Sequence, residues 1–342
     1  MDKDYIVTWF YREGADDYSY YPQVGGRGDS PLLHSVYMQI QLPFFHTFAR
    51  NNPKSPLLFF SNLRKEELPP YLNDLFDNLK PNGVEVITLP YTCRPPKHWY
   101  KAWANQFYLY DILKYMGGRM GDQDTVTVCD ADCLCRRSLR PLFDEVRAKG
   151  SALYSVCEDT EHKREARING TLLSEMEDIY ADCYGEGLGR EMKYYGGEFV
   201  CLRGDVVRRL NEALPQLWKY NFSLPDGTPR LNEEAHVLSV LAARLNICNE
   251  GAGRYVKRLW TGHLYRNVKE GDVQKAVWHL PSEKKTGLFL LYRRIRRRGG
   301  LDPEPVFWEK AERWCGMTMG GWKKRALDLL VKLARRTVWR RS

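Results

Sequence analysis

Short runs of β-branched and aromatic residues recur along this chain, and segments with helical spacing separate them. Strands that alternate with helices predict an α/β fold whose mostly parallel sheet is flanked by helices. The predicted strands span residues 5–11, 57–62, 84–90, 125–132, 151–157 and 196–202. The predicted helices span residues 32–50, 99–116, 141–149, 205–217 and 232–245. Because ligands of such sheets bind at the carboxyl ends of the strands, polar residues that follow a strand are candidate site residues.

The composition is that of a globular protein, since 43% of the 342 residues are hydrophobic. The first residues have no basic segment followed by an apolar one, so no secretory signal is predicted. No apolar run approaches the roughly 18 residues that a membrane span needs. The nine cysteines have no disulfide-framework spacing, which indicates reduced thiols and a cytoplasmic location.

Positive charge is concentrated at the end of the chain. Residues 284–342 contain 17 Lys and Arg but 5 Asp and Glu, an excess of 12 positive charges, whereas residues 1–283 contain 35 and 38, a balance of −3. We therefore predict a catalytic domain over residues 1–283 and a basic helical tail over residues 284–342. Such asymmetry indicates an anionic partner for the tail, either a membrane or a nucleic acid.

The tail contains two basic amphipathic segments, residues 286–298 and 322–341. In the second, one helical face carries the apolar residues Trp322, Ala326, Leu329, Leu330 and Leu333. This pattern favours a helix that lies on an anionic membrane surface, peripheral to the inner face of the membrane. The alternative is a helix packed on the body with its charged face in solvent. A nucleic-acid partner is not predicted, because no known binding module accompanies the charge.

The strongest local motif is TVTVCDAD, in which Asp130, Ala131 and Asp132 follow an apolar strand. Two carboxylates at i and i+2 can bind one divalent ion if the chain turns there. Such hard oxygen ligands suit Mn²⁺ or Mg²⁺, whose shells phosphate groups often complete. A solvated loop start is the alternative for an isolated D-x-D. A cysteine metal site is disfavoured, because Cys129, Cys133 and Cys135 do not have a usual zinc spacing.

Two later stretches add candidate residues. KYYGGEFVCLRGD (193–205) places Gly196 and Gly197 just before a strand, where glycine allows a close approach of the backbone to a ligand. A tight turn is the alternative. LNEEAHVL (231–238) begins a predicted helix and places Glu233, Glu234 and His236 in its first turn, where acidic residues also serve as ordinary caps.

In order and spacing, VCDAD, YYGGEFVCLRG and NEEAHVL resemble the three signatures of GT-A-fold, nucleotide-sugar-dependent glycosyltransferases. They are most similar to the retaining family of α-1,3-galactosyl- and N-acetylgalactosaminyltransferases that includes the ABO blood-group enzymes. That family carries D-V-D, Y-Y-G-G and D-E-S-H in the same order. The resemblance covers roughly residues 5–265 and implies a GT-A (Rossmann-like) fold.

The resemblance also implies roles for individual residues. Asp130 and Asp132 would hold the metal that bridges the UDP diphosphate, with Ala131 in the same nucleotide-sugar site. Gly196 and Gly197 would line the acceptor or sugar pocket, and His236 would contact a sugar. Glu234 would face the anomeric carbon as the catalytic carboxylate, with Glu198 as the second candidate.

Other positions complete the predicted site. Thr8, Trp9 and Tyr11 end the first strand, where such folds hold the nucleotide base. Trp9 or Tyr11 could stack on uracil; the alternative is that both are core residues. The family has a donor-binding arginine before D-x-D, and Asn105 or Gln106 stands at that position here. The sequence also resembles glycogenin-like transferases, which implies a third metal ligand, His263, from WTGHLYRN; an ordinary core or surface histidine is the alternative.

We therefore expect a retaining, Mn²⁺- or Mg²⁺-dependent glycosyltransferase. It would move a hexose from a UDP-sugar to a glycan or lipid-linked saccharide, as in bacterial lipopolysaccharide, capsule or glycolipid assembly. Retention could proceed through a covalent intermediate or by front-face attack. The alternatives are a sugar-phosphate nucleotidyltransferase, for which VGGRGDS (24–30) is a faint glycine-rich loop, and a non-catalytic membrane adaptor.

Overall fold

The computed structural model describes most of the chain. The described residues are 2–14, 17, 19–21, 24–64, 76–96, 99, 103–156, 167–262 and 265–339. The strands are β1 (Asp4–Phe10), β2 (Tyr20–Tyr21), β3 (Gly26–Arg27), β4 (Leu57–Ser61), β5 (Val84–Thr88), β6 (Thr125–Cys129), β7 (Cys133–Cys135), β8 (Ser151–Ser155), β9 (Tyr195–Arg203), β10 (Val256–Arg258) and β11 (Val277–His279). The α-helices are α1 (Pro31–Asn51), α2 (Tyr108–Arg119), α3 (Arg140–Lys149), α4 (Leu173–Tyr184), α5 (Gly204–Ser223), α6 (Glu234–Leu245), α7 (Gly287–Arg298), α8 (Glu304–Trp314) and α9 (Gly321–Trp339).

The centre of the fold is a six-stranded sheet with the order β5-β4-β1-β6-β9-β8. Strands β5, β4, β1 and β6 are parallel to one another, and β9 is antiparallel to both of its neighbours. Every residue of β4, β6 and β8 is buried, because helices cover both faces of the sheet. These observations confirm the predicted α/β class with a mostly parallel sheet.

The carboxyl ends of β1 and β6 meet at one edge of this sheet, since Val7 pairs with Val128. The amino-terminal end of β9 reaches the same edge, where Phe199 pairs with Cys129. Three predicted motifs, at the ends of β1 and β6 and at the start of β9, are therefore neighbours in the fold.

A second sheet, with the order β10-β11-β7, lies next to this edge. Its strand β7 follows β6 after a short turn, and β11 pairs with it antiparallel, which places His279 opposite Cys133. This pairing brings a segment about 150 residues later in the sequence beside Asp130 and Asp132.

One predicted helix begins later than expected. In place of a helix from residue 99, a 3₁₀ turn over Ala104–Phe107 leads into α2. Trp103 precedes the turn in the left-handed region, with φ 52°, and this conformation does not continue a right-handed helix.

Part of the predicted tail packs into the body. Helix α7 packs against α1 and buries Leu288, Leu291 and Ile295 in the same core as the central sheet. Helix α8 buries Trp308, whose ring lies 5.2 Å from that of Trp278 in β11. The predicted boundary between residues 283 and 284 therefore does not coincide with a change in packing. Among the described residues, no helix is long and apolar enough to cross a membrane.

Candidate active site

The turn after β6 brings two carboxylates together. The Asp130 amide donates to the Glu198 carbonyl at 3.0 Å, and the Cys133 amide donates to the Asp130 carbonyl at 3.2 Å. This turn replaces the strand pleat that would have separated the two aspartates on opposite faces. Asp132 is almost fully buried, and its Oδ1 has no hydrogen-bond partner.

His279, at the end of β11, completes a cluster with these aspartates. Its Nε2 lies 3.4 Å from Asp132 Oδ2 and 3.7 Å from Asp130 Oδ2. One potential ligand atom from each of the three residues lies within 4.8 Å of the others. Both ring nitrogens of His279 are buried without a hydrogen-bond partner. The ring nitrogens of His279 and Asp132 Oδ1 are thus buried without hydrogen-bond partners. Such atoms fit a divalent-metal site, because a buried polar atom without a hydrogen bond or a metal is energetically costly.

Lys284 supplies a positive charge to the same cluster. Its ammonium group pairs with Asp132 and lies 5.7 Å from the centre of the Tyr37 ring. Burial would raise the pKa of Asp132, but the charges of Lys284 and His279 outweigh it and lower that pKa below its ordinary value. Burial and the neighbouring Asp132 raise the pKa of Asp130 to about 6. The pKa values of the two aspartates are therefore shifted in opposite directions although only one residue separates them.

The glycine pair of β9 makes room for two further carboxylates. A Cβ atom at Gly196 would lie 1.9 Å from Glu198 Oε2, and one at Gly197 would lie 2.3 Å from Glu234 Oε1. The sequence predicted that glycine allows a ligand to approach the backbone here. The structure places carboxylate side chains of the protein itself against both glycines.

Glu234 lies at the start of α6 and is buried. The side-chain amide of Gln106 is oriented with its nitrogen toward the carboxylate of Glu234. In this orientation it donates hydrogen bonds to Glu234 Oε2 at 2.8 Å and to Oε1 at 3.2 Å. Burial, followed by the charge of the adjacent Glu233, raises the pKa of Glu234 well above its ordinary value. The two donated hydrogen bonds act in the opposite direction, since they favour the ionised form.

Glu198 has a different neighbour. The Arg258 guanidinium, from β10, donates through Nε to Glu198 Oε1 at 2.6 Å. Burial would lower the pKa of Arg258, but the charge of Glu198 outweighs it and raises that pKa. Glu198 is therefore held as one half of a buried ion pair, whereas the carboxylate of Glu234 meets a neutral amide.

One cavity of about 390 Å³ is lined by Asp130, His279, Lys284, Glu198 and Glu234, but not by Asp132. The predicted residues that line it are Trp9, Asn105, Gln106, Asp130, Ala131, Gly197, Glu198 and Glu234. The lining residues that the sequence reasoning missed include Tyr37, Trp103, Arg258, Trp260, His279 and Lys284. Of these, His279 had a usable signal, because it ends a short apolar strand, VWH, and Asp130 likewise comes directly after one.

Other predicted residues do not line this cavity. Thr8 is fully buried within β1, and Gly196 lies beneath Glu198. Tyr11 contacts the rings of Tyr91 and Tyr108 and bonds through its hydroxyl to Asp17 at 3.3 Å. A direct contact of these residues with a bound nucleotide sugar stays a prediction.

The sequence predicted two histidines in the site, His236 and His263. His236 is fully buried; its Nδ1 accepts from the Asn232 amide at 3.2 Å, so Nε2 carries the proton and donates to the Ile168 carbonyl at 3.0 Å. With both ring nitrogens engaged, it supports the loop at Ile168 and does not line the cavity. His263 lies outside the described residues, and within the described part of the chain it is His279 that joins the two aspartates.

No family model matches the chain, and no curated protein does. Among solved structures, it is similar to an active-site mutant of LgtC, with a TM-score of 0.44, 14% identity and coverage of 91% of this chain and 100% of that one. It is also similar to mouse xyloside xylosyltransferase 1 in its apo form (TM-score 0.44, 11% identity, coverage 81% and 97%). A third is the galactosyltransferase LgtC in complex with donor and acceptor sugar analogs (TM-score 0.41, 14% identity, coverage 95% and 99%).

All three structures are of glycosyltransferases. At these TM-scores and identities, the likenesses establish neither a family nor an activity for this chain. The resemblance of the short motifs to the ABO-type family is not confirmed by them.

Proposed function

We propose that this chain is a metal-dependent, retaining glycosyltransferase that moves a hexose from a UDP-sugar to a saccharide or lipid-linked acceptor. The observation that carries the proposal is the Asp130–Asp132–His279 cluster, which lies at a cavity that is also lined by three buried carboxylates, those of Glu198, Glu233 and Glu234. A metal site alone would fit many proteins. A metal site beside buried carboxylates and several aromatic rings fits the transfer of a sugar from a diphosphate.

The three residues of the cluster would hold a divalent ion. Its chemistry would be to neutralise the negative charge that develops on the departing diphosphate. The donor set of two carboxylates and one imidazole favours Mn²⁺ over Mg²⁺, because imidazole suits transition metals and Mg²⁺ prefers oxygen ligands. The remaining features of the site are supplied by residues of the chain itself.

Lys284 lines the cavity on the side of the aspartates. Besides its pairing with Asp132, it would act on the bound diphosphate. Burial would lower the pKa of Lys284, but the negative charges of Asp132 and Asp130 outweigh it and raise that pKa, so the side chain stays charged. A fixed ammonium group beside a bound diphosphate would stabilise charge there.

The donor base would lie against Trp9, at the carboxyl end of β1. Trp9 lines the cavity and is only partly buried, with its ring 5.7 Å from that of Tyr108. Trp103 and Trp260 line other parts of the same cavity. Aromatic faces of this kind stack on bases and on the apolar faces of sugars.

Glu234 is the carboxylate that we assign to the anomeric centre. It lines the cavity against Gly197 with only a neutral donor on its oxygens, whereas Glu198 is neutralised by Arg258. A carboxylate without a paired cation can stabilise an oxocarbenium-like centre or form a covalent intermediate with it. Front-face attack would use the same electrostatic stabilisation without the covalent bond.

The glycine-rich loop does not favour the nucleotidyltransferase alternative. Gly26 and Arg27 form a two-residue strand that pairs with Tyr20 and Tyr21, and the carbonyl of Gly28 accepts from His34 at 2.9 Å. None of the glycines of this loop lines the cavity.

The proposal is tested by the thermal stability of the purified chain with UDP, UDP-hexoses and other nucleotide sugars, each with and without Mn²⁺. Ligands that bind the native state raise the midpoint of unfolding by mass action. We expect the largest shift for a UDP-sugar with Mn²⁺. A shift of equal size for other nucleotides, or no shift with any nucleotide sugar, would contradict the proposal.

A further inference from the structure

Helix α9 exposes apolar side chains on its outer side. Trp322, Leu329, Leu330 and Leu333 are 75%, 58%, 65% and 50% exposed. At 3.6 residues per turn, Trp322, Leu329 and Leu333 lie within about 40° of one another around the helix axis, with Leu330 beside them. We call these four residues the outward stripe.

The opposite side of α9 is fixed to the body by charge. Lys324 is 1% exposed, and its ammonium group lies 2.9 Å from Glu283 Oε2 and also pairs with Asp328. Val331, which is 4% exposed, lies on this same side, about 180° from the outward stripe. The helix therefore cannot turn its apolar stripe inward without moving Lys324 away from the buried Glu283.

This orientation is the reverse of the usual one. A surface helix of a soluble domain normally buries its apolar side and exposes its charged side. The alternative predicted from the sequence, a helix packed on the body with its charged face in solvent, describes α9 only in part, because the helix contacts the body through Lys324 and Val331 while its apolar stripe is also in solvent. An apolar stripe that points away from its own protein marks a surface for another partner.

Basic residues flank the outward stripe on both sides. Lys323 lies on one side, with its ammonium group 5.9 Å from the centre of the Trp322 ring, and Arg325 and Lys332 lie on the other. All three are exposed. An apolar stripe between two basic borders is complementary to a bilayer surface, where acyl chains lie beneath anionic headgroups.

A second copy of the chain is a poorer fit. A symmetric pairing of two stripes would bring the basic border of one helix beside that of the other, because the same patch is used on both copies. Like charges at the edge of an interface oppose association. An anionic surface has no such repulsion.

We propose that the outward stripe and its basic borders form a docking surface for an anionic lipid bilayer, with α9 parallel to the membrane plane and Lys324 fixing the body to it. This inference does not rest on the proposed catalytic function, since it uses only α9 and its contacts. It also assigns the docking to α9 and not to α7, whose apolar side is buried in the core.

The test uses the full-length chain and sedimentation with two kinds of vesicle, pure phosphatidylcholine and phosphatidylcholine with phosphatidylglycerol. The stripe variant carries Trp322→Ser, Leu329→Gln and Leu333→Gln. The border variant carries Lys323→Gln, Arg325→Gln and Lys332→Gln. The matched control carries Leu32→Gln, Phe222→Gln and Val306→Gln, which replace apolar residues that are 37%, 40% and 38% exposed elsewhere.

We expect the wild-type chain and the control to bind anionic vesicles at least ~10-fold more tightly than neutral ones. The stripe variant should lose at least ~10-fold in binding in low and in high salt, and the border variant should lose binding mainly in low salt. Circular dichroism should show equal helix content, because the replaced side chains are exposed. Stripe-variant binding equal to wild type would overturn the proposal. So would a stripe variant whose only change is the loss of a dimer in solution, which would assign the stripe to a second copy.

Discussion

At the scale of single residues, four carboxylates of the candidate site each have a different neighbour. Asp132 meets Lys284, Glu198 meets Arg258, and Glu234 meets the Gln106 amide. Asp130 is partly exposed and has a pKa raised to about 6, by burial and then by Asp132. Groups of one chemical type can therefore have separate roles in binding and catalysis.

The first residue-scale prediction concerns His279. Its replacement by alanine should weaken Mn²⁺ binding at least ~10-fold, because it removes one of three ligands, a loss of about 1.4 kcal/mol or more. The free Mn²⁺ signal in electron paramagnetic resonance measures this directly. His46→Ala is the matched control, since His46 lines a separate groove. Unchanged Mn²⁺ binding by His279→Ala would remove this histidine from the metal site.

The second residue-scale prediction concerns Glu234. The nearly isosteric change Glu234→Gln should lower kcat by about 10³-fold or more with a smaller change in the donor KM, because the carboxylate acts on the charged transition state. Glu198→Gln is the comparison, and it should mainly disturb Arg258 and binding. The product anomer, read by NMR for the wild-type enzyme, should match the α configuration of the donor. An inverted product would make Glu234 a general base and end the retaining assignment.

The third residue-scale prediction concerns Gly197. Its replacement by alanine would place a methyl group 2.3 Å from Glu234 Oε1, so the carboxylate must move. We expect a loss of stability of about 1–3 kcal/mol, typical of overpacking, together with lower turnover. Gly187→Ala is the control, because a Cβ there meets no atom within 4 Å and φ is not positive. Equal melting temperatures and turnover for the two variants would contradict this packing account.

At the scale of secondary-structure elements, the sequence predicted local features better than their pairing. The run TVTVC and its two aspartates predicted β6 and a metal site, because the residues concerned are adjacent in sequence. His279 and Lys284 were not found, because only the pairing of β11 with β7 brings them to the aspartates. Periodicity predicted the amphipathic character of α9 but could not show which side faces the body, since a buried Lys324 contradicts the usual pattern.

An element-scale prediction follows for the attachment of α9. Lys324→Met should destabilise the chain by about 3–5 kcal/mol, because it leaves the buried Glu283 without its cation. The exposed neighbour Lys323→Met should change stability by less than about 0.5 kcal/mol. Urea unfolding followed by fluorescence compares the two. Similar free energies of unfolding for both variants would show that the Lys324–Glu283 pair does not hold α9.

At the scale of the whole molecule, the body and much of the basic tail form one packed unit. Helices α7 and α8 complete the core around α1 and β11, and the segment between β11 and α7 supplies Lys284 to the cavity. Net charge predicted an anionic partner but not this packing, because charge counts describe surfaces and not buried contacts. A chain ended at residue 283 would therefore lose both core and site residues, and the site is best studied in the full-length protein.

Metal-dependent glycosyl transfer is tested most directly by UDP release from a UDP-hexose by the full-length chain in the presence of a saccharide acceptor. We expect release that requires Mn²⁺, is abolished by EDTA and falls by orders of magnitude in Asp132→Asn, because that change removes a charged ligand while keeping the shape of the side chain. Full activity in EDTA, or equal activity of Asp132→Asn, would contradict the metal-dependent mechanism. Release of pyrophosphate from UTP and a hexose 1-phosphate, with no release of UDP from the UDP-hexose, would indicate nucleotidyl transfer and contradict glycosyl transfer itself.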